Sequence, residues 1–192
     1  MLLFPSHDRV SGKRKSYFVS TQEVTSISGA YSLASTDIIA KLKQLGYNNT
    51  VCYWHDDADS TFPEAGYFTS SGVYVPGEVE WRNYQIVGID VARNPNTGLP
   101  LSETEQNNLI NRNASFTALN SLGTYTVFGG KTSSGNWIDE IRFSHFWANE
   151  IERAVGIIML NRQGNKLGGD KGISLVKSAL DRDWETDRKS VV

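Results

Sequence analysis

Along this chain, apolar positions alternate with polar ones in some stretches and recur every three or four residues in others. That difference in period separates strands from helices. Residues 15–22 (KSYFVSTQ) concentrate aromatic and β-branched side chains and predict a short strand. In residues 32–47 (SLASTDIIAKLKQLGY), Ile38, Ile39, Leu42 and Leu45 fall on one helical face, and Gly46 is a stop signal. Residues 49–56 (NTVCYWHD) predict a second strand. Strand, helix and strand with short joins make a βαβ unit, whose strands run parallel. Pro63 and Glu64 suit the first turn of a short helix within 60–81, and Pro76-Gly77 marks a turn. Residues 83–92 (NYQIVGIDVA) predict a strong strand, followed by a loop over 93–102. Ser102 with Glu105 three residues on forms a capping box, opening a helix over 102–114 with Leu109 and Ile110 on its buried face. Two strands follow around Gly123 (116–122 and 125–130), and NWIDEIRF (136–143) predicts a third. The longest helix is expected over 144–162, capped by Ser144, with Trp147, Ile151, Val155 and Ile158 inward. A last helix is expected over 170–181. The fold class that follows is α/β, a mostly parallel sheet flanked by helices, with an antiparallel edge or subdomain formed from 116–143.

The chain has 192 residues, enough for one domain with a sizeable core. A net charge of −2 argues against a dedicated nucleic-acid binder. No apolar run reaches the length of a membrane span, and the N-terminus lacks the layout of a signal peptide. The one cysteine, Cys52, lies in a buried-strand pattern and fits core packing in a reducing compartment. The closing stretch DWETDRKSVV has no periodicity, and Asp187–Val192 match the translation of a sequencing adapter. The expected organisation is therefore an N-terminal segment over 1–14, a domain over 15–181 and a non-native tail over 182–192, with the natural frame ending near Arg182. On this reading the chain is a fragment.

Four patterns carry candidate chemistry. Gly129-Gly130-Lys131-Thr132 ends like a phosphate loop. That motif needs a glycine at position 125 and a helix immediately after the threonine, but position 125 is Tyr125 and Gly135 interrupts the next stretch. A glycine turn between strands is the expected reading. His55, Asp56, Asp57 and Asp59 carry donor types suited to a divalent ion at the end of a strand, yet they lack the calcium-loop pattern and read as a solvated loop. Asp139 and Glu140 fall on opposite faces of the strand expected there, and Glu150, Glu152 and Arg153 on a solvated helix face. There is no Gly-x-Ser-x-Gly, the three histidines (His7, His55, His145) are far apart in sequence, and Trp54, Trp81 and Tyr84 read as core rather than as sugar-stacking platforms. No catalytic, cofactor-binding or metal-binding residue is assigned, and no cofactor or enzymatic activity is expected.

The order of these segments resembles the contractile tail sheath proteins of bacteriophages. LSETEQNNLINRN (101–113) is similar to the helix opening of that family, GGKTSSGNWIDEIRF (129–143) to its glycine–threonine turn and following strand, and WANEIERAVGIIML (147–160) to its long helix. LKQLGYNNTVCYWHDD (42–57) and PGEVEWRNYQIVGI (76–89) resemble segments of a divergent sheath-like phage family, and Lys131 stands where many sheath proteins have arginine. The resemblance covers roughly 15–181. It implies a structural subunit that polymerises helically around a tail tube and drives contraction by rearrangement. The implied partners are further copies of itself, the tube protein and the baseplate, with no nucleic acid and no membrane. It also implies a place in the virion tail after assembly in the host bacterial cytoplasm, and a tight turn at Gly129–Thr132. The alternatives are the sheath of a phage-derived injection or secretion apparatus, a metal-dependent hydrolase using His55, Asp56 and Asp57, and a carbohydrate-binding module with an exposed row of Trp and Tyr.

Overall fold

The computed structural model of the chain describes residues 15–161 together with 174, 177 and 178, with side chains through 157 in the continuous part. Two compact units divide the chain at residue 143. The helix expected over 170–181, the N-terminal segment over 1–14 and the tail over 182–192 lie outside the described residues, except for those three isolated positions.

Strand β1 (Tyr17–Thr21) is followed by a short turn of helix, α1 (Thr25–Ser28), and then by α2 (Ile38–Leu45). Asp37 caps α2, its carboxylate accepting from the Ala40 N–H at 3.0 Å, and Gly46 ends it in the left-handed conformation. Strand β2 (Thr50–Trp54) then pairs with β1 in parallel, Val19 opposite Cys52, as the βαβ pattern predicts. Next come α3 (Ala58–Thr61) and α4 (Pro63–Gly72), the latter with Pro63 in its first turn. Helix α5 (Glu103–Ile110) carries the complete capping box of Ser102 and Glu105. Strands β3 (Phe116–Leu119) and β4 (Tyr125–Phe128) form an antiparallel hairpin. A parallel bridge between Tyr53 and Ser115 joins the hairpin to β2.

The chain therefore mixes helix and strand, but the sheet is not large and mostly parallel: it is one parallel pair and one antiparallel pair. Two expected strands account for the difference. Residues 83–92 form no strand. Asn83 donates to the Val127 carbonyl and Ala92 to the Thr117 carbonyl, so the two ends dock on different strands, and Gly88 turns the middle outward at a φ of +83°. Residues 136–143 are not a strand either. They enter α6 (Ile138–Asn161), so Ser144 is interior to a helix rather than its cap, and Asp139 and Glu140 both lie in its first turn.

Every residue of β2 is buried, and its alternation sorts two cores. Cys52 and Trp54 face Ile27, Ile39, Leu42, Leu109 and Phe116. Val51 and Tyr53 face Tyr67, Trp81, Ile86, Val127 and Ile138. A buried ion pair fastens the helices over the first core. Arg112 Nε lies 3.2 Å from Asp37 Oδ2, and its guanidinium also donates to the Gly29 and Asn108 carbonyls at 2.8 and 3.1 Å. In the second unit, α6 continues through residue 161, with Ala154 buried and Arg153 paired to Glu150 at 2.7 Å.

Candidate functional site

The Gly-Gly-Lys-Thr stretch leaves the end of β4 and makes a tight turn. Gly129 and Gly130 hold φ of +104° and +82°, where only glycine is at ease. A Cβ on Gly129 would sit 2.6 Å from the Ala114 carbonyl oxygen, and one on Gly130 would sit 3.1 Å from that of Trp81. The glycines are needed for this close passage of backbone on backbone. The Gly130 N–H donates to Ser115 Oγ at 3.2 Å, the Ser115 hydroxyl donates to Tyr67 Oη at 3.3 Å, and Tyr67 donates to the Trp81 carbonyl at 2.7 Å. Ser133 then straps the turn to β2, its N–H donating to the Thr50 carbonyl at 2.7 Å. Thr132 and Ser133 are both buried.

No phosphate cradle results. The helix starts six residues after Thr132, the Ile138 N–H is taken by the Gly130 carbonyl, and the first turn of α6 carries Asp139 and Glu140. Those carboxylates put negative charge where a phosphate would need to approach. The turn expected between two strands is thus a turn between a strand and a helix.

The His55 loop is likewise occupied by its own bonds. The Asp57 N–H donates to His55 Nδ1 at 3.1 Å, so the ring proton is on Nε2, which donates to the Asp90 carbonyl at 3.2 Å. Asp56 accepts from the Arg93 N–H at 2.8 Å, Asp57 from the Ser60 hydroxyl, and Asp59 from the Gln22 amide at 2.7 Å. Among the described residues no three His, Cys, Asp or Glu side chains are placed to share a metal ion. Burial pushes the Cys52 thiol up to about 12, with the charges of Asp37 and Glu23 adding to the effect.

Trp54 and Trp81 are 0% and 2% exposed, so they cannot form a stacking row with Tyr84. Trp54 donates its indole N–H to the Glu23 carbonyl at 3.0 Å. Trp81 is stacked on Phe18 with ring centroids 5.4 Å apart, and Tyr84 is stacked on Tyr67 at 6.3 Å. His7 lies outside the described residues, and His145 belongs to the second unit.

One cleft of about 230 Å³ opens beside the glycine turn, lined by Glu80, Trp81, Arg82, Gly130, Trp137 and Asp139. Lys131 and Trp137 are bridge partners, which places the Lys131 ammonium 4.9 Å from the indole centroid. The Arg82 guanidinium lies 4.8 Å from the same ring and 3.4 Å from Glu80. This grouping was not assigned from the sequence. Its only linear signals are the triplet Glu80-Trp81-Arg82 and the spacing Trp137-x-Asp139, which mean little until the turn brings them together.

No helix among the described residues is long and apolar enough to cross a membrane. Comparison with protein-family profiles, with curated proteins and with solved structures gave no match to this chain.

Proposed function

We propose that this chain is a structural subunit of a contractile phage tail sheath, assembling helically with copies of itself around a tail tube. The observation that carries the reading is an apolar ledge at the end of α4. Phe68, Val73, Tyr74 and Val75 are 46%, 76%, 50% and 47% exposed within eight residues of chain. An apolar run of this kind marks a contact surface rather than ordinary solvent-facing chain. The ledge is also held in place: Arg142 donates to the Ser71, Gly72 and Tyr74 carbonyls at 3.2, 3.0 and 3.0 Å. Prearranged contact surfaces suit subunits that move as rigid bodies and draw their driving free energy from new intersubunit contacts. Head-to-tail contacts that do not close into rings build open helices. The order of sequence segments favours the sheath among such assemblies, and the same mechanics would serve a phage-derived injection or secretion apparatus.

Negative-stain electron microscopy of the protein, alone and co-expressed with a phage tail tube protein, tests this. Hollow tubes of regular width are expected. Val73→Asp should abolish them while changing stability by no more than about 0.5 kcal/mol, the usual range for surface substitutions. Dispersed monomers under both conditions would exclude the sheath reading.

A further inference from the structure

We infer that the tip of the β3–β4 hairpin in one copy of the chain seats on the Phe68–Val75 ledge of the next copy. The inference rests on the self-assembly reading above and names the surface that the ledge meets.

The hairpin ends in an apolar knob. Leu122, at its apex, is 84% exposed, and Leu119 and Tyr125, which face each other across the two strands, are each 40% exposed. Cross-strand partners share one face of a hairpin, so Leu119 and Tyr125 lie side by side beneath the apex. The turn that holds Leu122 out is tied down. The Asn120 side-chain oxygen accepts from the Leu122 and Thr124 N–H groups at 2.9 and 3.1 Å. The Asn120 N–H donates to the Thr124 carbonyl at 2.9 Å, and the Gly123 N–H to the Asn120 carbonyl at 3.0 Å. An apolar group held in water by so many bonds adds little to its own core and marks a contact.

Topology puts knob and ledge at opposite ends of the first unit. Helix α4 starts after β2 has ended and runs back along the sheet, so that Phe68 meets Phe18, the second residue of β1, at 5.2 Å between ring centroids. The ledge that follows therefore lies beyond the amino ends of the parallel pair. Ser115 bridges in parallel to Tyr53, one residue before β2 ends, and β3 continues in the same direction. The hairpin tip therefore lies beyond the carboxyl ends. Patches at opposite ends of a subunit meet head to tail, and that contact repeats along an open array. A two-fold contact of ledge on ledge closes as a dimer and leaves the knob uncovered.

The two surfaces also match in chemistry. No charged residue occurs from Ala65 through Gly77 or from Asn113 through Gly130, in a chain that is 21% charged. Their contact buries apolar area without stripping water from an ion of either run. Both are prearranged, the ledge by Arg142 and the knob by Asn120, so little ordering entropy is lost on contact.

Cross-linking of the full chain tests the contact. The one native cysteine, Cys52, is buried, so thiols placed on the surface react alone. Val73→Cys and Leu122→Cys are prepared singly and together and treated with a short bismaleimide. The chain carrying both should give a ladder of dimers, trimers and longer products. A mixture of the two single variants should stop at dimers, and neither single variant should cross-link by itself. Leu33→Cys in place of Leu122→Cys, a comparably exposed position between α1 and α2, should give no ladder. Leu119→Asp added to the two-cysteine chain should lower the ladder yield about tenfold, because the contact then buries an unpaired carboxylate. Absence of the ladder, a dimer from either single variant, a ladder from Leu33→Cys, or a ladder indifferent to Leu119→Asp overturns the docking. Microscopy of the native chain separates the two readings. Regular tubes without a ladder remove the docking and leave the sheath standing, and a ladder from a chain that forms no tubes does the reverse.

Discussion

Gly129 has no substitute. A Cβ there would meet the Ala114 carbonyl at 2.6 Å and Ser115 Cα at 2.8 Å, both backbone atoms that cannot swing away, and the φ of +104° is strained for any L-residue. Gly123 shares the positive φ, at +74°, but has nothing within 4 Å. Gly123→Ala should therefore cost only the conformational penalty, about 1–2 kcal/mol. Gly129→Ala should cost distinctly more, about 3 kcal/mol or above. Urea unfolding of the two variants separates the terms. Cys52 offers a second test at this scale. With its thiol pushed up to about 12 by burial, it should resist alkylation at pH 8 in the native protein and react only as fast as the protein unfolds. Both residues were partly legible in the sequence. The strand-like TVCYW placed Cys52 in the core, and the failed phosphate-loop spacing left Gly129 as a turn residue. What no linear pattern could show was which backbone the turn runs against.

At the scale of elements, the capping box gives the cleanest pH dependence. Partial burial alone would raise the Glu105 carboxyl, but hydrogen bonds from the Ser102 hydroxyl and backbone and from the Asn94 amide outweigh it and hold it below its ordinary value of 4.5. A depressed folded value means the contribution is present above 4.5 and lost as pH falls through the lower folded value. The stability difference between the native chain and Glu105→Gln should accordingly shrink as pH drops through and below 4.5, while Ser102→Ala should cost about 1 kcal/mol at neutral pH. Denaturant titrations at several pH values check both. This box was readable because its chemistry is local. The start of α6 was not, because Trp137, Asp139 and Ile141 alternate as a strand would while Ile138, Ile141 and His145 recur as a helix does. Over so short a run periodicity cannot arbitrate. The adjacent acids Asp139 and Glu140, a helix-start signal, were the better guide. In 83–92 the alternation was real, but Asn83 and Ala92 spend it on two different strands.

At the scale of the folded unit, β2 separates two cores, and each has its own polar fastening. Over the first, Arg112 and Asp37 are 2% and 3% exposed and bonded to one another. Removing one partner leaves a buried charge alone, so Arg112→Met should cost about 3–5 kcal/mol, whereas replacing both with apolar residues should recover much of that loss. Thermal unfolding of the single and double variants measures the difference.

Over the second core, the fastening runs from the Gly130 N–H through Ser115 and Tyr67 to the Trp81 carbonyl. Its ends are not interchangeable, since an amide can only donate and a carbonyl can only accept. The two hydroxyl protons between them therefore have a single permitted order, both pointing away from Gly130. The row has a polarity, and it converts a turn at one end of α6 and a carbonyl beside α4 into parts of one directed dipole through the interior.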